Sequence, residues 1–192
     1  MRFATKSFFI NLPWGLGGVQ IDVTEDIEKV AWALYVELNT RIATRPLERG
    51  EGSVREALTS LYRLFEITRS VLKQAGVGVA KFPEGKQSLA SIAMEFLNQV
   101  VRPDLVRWHT SLSAHEATTW RRLVADGKSL PNHPDLARAL VDETQWAGYT
   151  SFHDELAVLQ EKLGRYVVIL GALAGATESP DVTAGPTEPQ SR

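Results

Sequence analysis

Residues 53–72 read Ser-Val-Arg-Glu-Ala-Leu-Thr-Ser-Leu-Tyr-Arg-Leu-Phe-Glu-Ile-Thr-Arg-Ser-Val-Leu. Ser53-Val54-Arg55-Glu56 matches a capping box, in which the serine and the glutamate each satisfy a backbone N–H that the first helical turn leaves without a partner. Leu58, Leu61, Tyr62, Phe65 and Leu72 then recur at helical spacing, and Gly76 is a natural stop. A helix with one apolar stripe must lay that stripe on something. The fold therefore depends on whether the flanking sequence supplies further helices.

It does on both sides. Upstream, Thr24 offers an N-cap, Glu25 and Asp26 suit the positive end of a helix dipole, and Ile27, Val30, Ala31, Leu34, Leu38 and Ile42 keep the helical period until Pro46. Downstream, the glycines and proline of residues 77–86 read as a loop. A third helix starts near Ser88 with Leu89, Ile92, Ala93, Phe96, Leu97 and Val100 as its core face. Pro103 must kink that helix or open a new one at its first turn, because it has no N–H to donate. Ser113-Ala114-His115-Glu116 is a second capping-box match and predicts a new short helix ending near Gly127. Asn132 and Pro134 open the last helical region, where Phe152, Leu156, Leu159, Leu163, Val167 and Leu170 mark a long amphipathic helix and Gly148 is a candidate interruption.

The two ends differ. Phe8, Ile10 and Leu12 alternate with polar or outward positions, and the alternation resumes at Val19, Ile21 and Val23 after Pro13-Trp14-Gly15-Leu16-Gly17-Gly18. Two period-two runs around a glycine-rich connection predict a β-hairpin over 7–23. The segment 177–192 carries Pro180, Pro186 and Pro189 with almost no large apolar residue, and its composition predicts a disordered tail. The expected fold is mainly α: a bundle of about five helices in one domain spanning 1–176, with an N-terminal hairpin.

Composition narrows the function. Over 192 residues, 21 basic and 23 acidic side chains leave a formal charge of −2. That lacks the basic excess of a sequence-independent nucleic-acid binder, so no DNA partner is expected. The chain has no cysteine, which excludes disulfides, thiolate catalysis and Cys-ligated metal within it. Asn11 and Pro13 interrupt the apolar start, and the longest later apolar run, Tyr166 to Ala176, is about half the ~20 residues of a spanning helix. No membrane association and a cytoplasmic location are expected.

Candidate sites were sought by motif. The glycines at 15, 17 and 18 lack both the third glycine of a dinucleotide loop, where Gln20 stands, and the Lys-Ser/Thr of a Walker loop. His115-Glu116 begins like a zincin, but Thr119 occupies the place of the second histidine. No cofactor and no metal is expected. Glu37 and Arg41 are spaced to pair along one helix, and with Arg69 they would form a polar site if buried together. Tyr35, Tyr62 and Arg69 are candidates to line a small-ligand pocket between helices. Five tryptophans, at 14, 32, 108, 120 and 146, fit core packing, and Trp14 at the hairpin tip is the candidate for an interface.

Two resemblances follow from quoted residues. Arg102-Pro103-Asp104-Leu105-Val106-Arg107-Trp108-His109 resembles the Arg-x4-6-His motif of the HEPN family, helical bundles many of which are metal-independent, dimeric ribonucleases. That resemblance implies acid–base catalysis by His109, phosphate stabilisation by Arg102 and a helper role for Asp104, with RNA as substrate. Pro103 stands where a small polar residue is commoner in that family. The ordinary reading of the same residues is a structural arginine, a core Trp108 and a terminal histidine. Ala31–Leu38, Thr40–Ala43, Arg55–Tyr62, and Arg102-Pro103 with Trp108-His109 together resemble uncharacterised all-helical proteins of actinomycete type, some near prokaryotic conflict or defence genes. This second resemblance spans Glu25 to Ser113 and implies an accessory module that acts by protein interaction or self-association. The leading expectation is a non-enzymatic interaction module, with a HEPN-like ribonuclease and a small-ligand sensor as alternatives.

Overall fold

The computed structural model describes residues 6–12, 17–41, 44–45, 52–80 and 87–177. Strands β1 (Lys6–Leu12) and β2 (Gly17–Val23) form an antiparallel hairpin with Phe8 opposite Ile21 and Ile10 opposite Val19. Among the described residues six α-helices follow: α1 (Glu25–Asn39), α2 (Val54–Ala75), α3 (Leu89–Glu95), α4 (Arg102–Ala125), the short α5 (Pro134–Arg138) and α6 (Tyr149–Leu173). The expected mainly α bundle with an N-terminal hairpin is thus what forms. Trp14, Ile42 and the tail from 178 onward lie outside the described residues.

Local chemistry sets the helix ends. Thr24 accepts from Ile27 N–H and Ser88 accepts from Ser91 N–H, each at an extended N-cap. Gly76 and Gly127 end α2 and α4 with φ of 70° and 76°, a region that favours glycine. His133 caps α5, its Nδ1 accepting from Asp135 N–H. A 3-10 turn, Gly76–Ala80, occupies the start of the expected loop and buries Val79.

Pro103 stands in the first turn of α4, one of the two places that its missing N–H allows. Between α3 and α4, Phe96–Val101 widen into a π-helical turn, in which Arg102 N–H donates to the Leu97 carbonyl. A proline ring inside an α-helix collides with the carbonyl four residues before it. The wider turn relieves that collision, so the chain passes Pro103 without a break. The helix also continues through Ser113–Glu116. The second capping box is therefore a misreading: Ser113 and Glu116 sit inside α4, and Arg55 of α2 engages both.

One apolar cluster joins hairpin and helices. Ile10, Ile21 and Val23 of the hairpin pack with Leu34 of α1, Leu58 and Leu61 of α2, Phe96, Leu112 of α4 and Leu163 and Leu170 of α6. Helix α1 lies against α6 and α2, and α2 lies against α4. No helix of the described residues is long and apolar enough to cross a membrane.

Candidate functional site

Arg102 and His109 are both exposed on α4. Seven residues apart, they share one helix face at a separation of about 10 Å along the axis. Helices α2 and α4 run antiparallel, because Arg55 reaches Glu116 while the Arg102 guanidinium lies 5.7 Å from the Phe65 ring centre. Tyr62, which falls between these two anchors in the sequence of α2, is 53% exposed. Asp104 is placed elsewhere. It is half-buried toward α6, and burial, then the charge of Glu155, raises its carboxyl above the usual range. It is therefore a poor helper for the other two, since it lies on a different side of α4.

The pocket expected from Tyr35, Tyr62 and Arg69 does not assemble. Tyr62 and Arg69 point outward from α2, and Arg69 Nε turns back to the Phe65 carbonyl. Tyr35 belongs to the seam of α1 with α6, stacked on Trp32 at 5.8 Å. The Glu37–Arg41 pair does form, at 2.8 Å, but without Arg69. Arg41 instead lines an open cleft between the end of α1, the first half of α2 and the segment running from α5 to Tyr149.

The rear of that cleft is a built polar lock that the sequence did not announce. Glu143, in a short 3-10 turn, accepts from Val54 N–H (2.7 Å), Arg55 N–H (3.0 Å) and the Ser53 hydroxyl (3.0 Å). A carboxylate thus holds the positive end of α2, satisfying the Val54 and Arg55 N–H groups that a capping box leaves open. Beside it, Arg55 donates from Nε and Nη2 to the two oxygens of Glu116 at 2.9 and 2.6 Å. The side chains of this pair are 12% and 6% exposed. Arg107 and Trp108 both donate to Glu155 and fasten α4 to α6.

A second surface is apolar. Helices α1 and α6 run antiparallel: a methyl group added at Gly171 would sit 3.0 Å from Tyr35 Cε2, and Gln160 donates to the Arg45 carbonyl beyond the other end of α1. On these two packed helices Trp32 and Val36 of α1 and Val168 of α6 are all exposed, Trp32 to 52%. Trp108 and Trp146 are buried edge to face at 5.5 Å and Trp120 is half-buried, so among the described residues Trp32 is the most exposed tryptophan. A signal for it existed: Trp32 falls off the stripe formed by Ile27, Val30, Ala31, Leu34 and Leu38.

His153 is buried against Tyr149 and Phe152, while His109 and His133 are exposed. Among the described residues no three His, Asp or Glu side chains are grouped to hold a metal ion. No protein-family model matches this chain, and neither does any curated protein or solved structure.

Proposed function

We propose that the chain is a non-enzymatic interaction module that pairs with a second copy of itself through the open face of α1 and α6. It would serve as an accessory component in the cytoplasm of a bacterium, in the conflict or defence setting that its sequence resemblance implies. The observation that carries this reading is Trp32, half in solvent, with Val36 one turn further along α1 and Val168 on the adjoining α6 also exposed. Tryptophan is the residue type most enriched at binding hot spots. The rim favours a copy of the same chain as the occupant. Lys29 pairs with Glu25 on α1 and Arg165 with Glu161 on α6, so each edge carries both signs and can meet itself about a two-fold axis.

Sedimentation velocity over a range of concentrations tests the reading. In a two-fold interface each substitution counts twice, so Trp32→Glu removes about 4 kcal/mol of hot-spot energy, a weakening of roughly 1,000-fold. A parent chain that stays monomeric at high concentration refutes the proposal, as does a Trp32→Glu variant that dimerises equally well.

The exposed, same-face placement of Arg102 and His109 favours a second reading, a HEPN-like metal-independent ribonuclease. It requires a different interface, along the seam of α2 and α4, so that the pairs from two copies meet. Cleavage of mixed RNA in the presence of chelator, lost in His109→Ala and kept in Trp32→Glu, supports this reading. Equal background from parent and His109→Ala ends it.

A further inference from the structure

We infer that the cleft beside α2 is a binding site for a small phosphate-bearing ligand, separate from the apolar face of α1 and α6. Its volume, about 970 Å³, suits a ligand of nucleotide size rather than a lone ion.

Its lining is arranged for an anion once the internal partners are paired off. Among the described residues four guanidiniums line it, those of Arg41, Arg55, Arg63 and Arg138. Arg55 is committed to Glu116, and Arg138 to Asp135 at 3.0 Å. Arg63 is exposed and has no ion pair or hydrogen bond among the described residues. Arg41 gives Nη2 to Glu37, while its Nε is sealed from water with no acceptor.

Most lining carboxylates are already occupied. Asp135 faces Arg138, Asp142 accepts from the backbone and hydroxyl of Thr144, and Glu143 holds the start of α2. Glu56 is the exception, and it lies exposed. The hydroxyls of Ser60 and Tyr149 also line the cavity. Two arginines that retain free donors, with hydroxyls beside them, recognise phosphate through forked, charge-assisted hydrogen bonds. Glu143 shows how readily this corner of the molecule holds an oxyanion.

The test is titration calorimetry with inorganic pyrophosphate and, separately, adenosine 5′-diphosphate, at ionic strength held constant with chloride. Saturable binding of either probe is expected. Pyrophosphate binding alone would assign recognition to the anion, and tighter diphosphate binding would assign part of it to the organic group. Arg63→Gln, at an exposed position that leaves the fold intact, should weaken binding about tenfold or more. Arg41→Gln should do the same, while Arg165→Gln on α6 and Trp32→Glu should bind as the parent does. Absence of saturable heat from both probes up to about 10 mM overturns the inference. Equal loss in Arg63→Gln and Arg165→Gln overturns it too, since that would be attraction by net charge.

Discussion

Removing the Glu116 carboxylate should be among the most damaging single changes to a polar side chain in this molecule. Glu116→Ala leaves the Arg55 guanidinium facing the Ser113 hydroxyl alone, in a place where only 12% of the arginine side chain reaches water. Breaking a buried ion pair from one side costs about 3–5 kcal/mol. Arg55 also lines the open cleft and can swing partly toward solvent, so the lower end, about 3 kcal/mol, is expected. For a chain of this length that lowers the melting temperature by roughly 6–12 °C. Urea denaturation measures it directly, with an unchanged m-value and an earlier midpoint. Replacing both partners by apolar residues, Arg55→Met with Glu116→Leu, should restore stability to within about 1 kcal/mol of the parent, because no buried charge is then left alone. A Glu116→Ala variant within about 0.5 kcal/mol of the parent would refute the reasoning. So would a double variant as unstable as the single one.

Three further outcomes follow from the same geometry. Glu143→Ala strips three donors of their acceptor at the start of α2 and should cost about 2 kcal/mol in urea denaturation, with Glu143→Gln intermediate; no change would mean that Glu143 does not cap α2. Gly148→Ala puts a methyl group 2.5 Å from the Trp146 ring and 3.0 Å from Trp108, both buried, and should cost about 1–3 kcal/mol in a thermal melt. Asp104 gives a pH signature. Its folded carboxyl titrates above the unfolded one, so stability is lost as pH rises through that interval, and Asp104→Asn should stabilise the chain at neutral pH. The advantage should vanish below the ordinary aspartate value of 3.8, where both states of the parent are protonated, and a stability difference independent of pH would contradict it.

What the sequence disclosed was local. Thr24, Ser53 and Ser88 accept from N–H groups three residues on, so their caps are legible from adjacent residues. The hairpin register follows from alternation that buries Ile10 and Ile21 together. Misreadings arose where a distant residue takes over a local role. The capping box at Ser53 leaves the Val54 and Arg55 N–H groups open, and Glu143, 89 positions from Val54, supplies their carboxylate. Ser113 and Glu116 match the same motif, but Arg55, 61 positions from Glu116, draws them into a continuous helix. Pro103 opens α4 at its first turn, one of the two places its missing N–H allows, whereas the π-helical turn before it left no sign in the sequence. For the sites, residue type alone does not show whether Tyr35, Tyr62 and Arg69 share a face. Helical phase sends Tyr62 and Arg69 outward and Tyr35 toward α6.

Self-association through Trp32 is tested most directly by a single thiol. The chain contains no cysteine, so Val36→Cys creates one reactive group, on the proposed interface and close in size to what it replaces. The rate at which a water-soluble thiol reagent labels it should fall steeply as protein concentration rises, and Trp32→Glu in the same chain should restore the fast rate. A labelling rate that stays the same from dilute to concentrated protein would contradict the account.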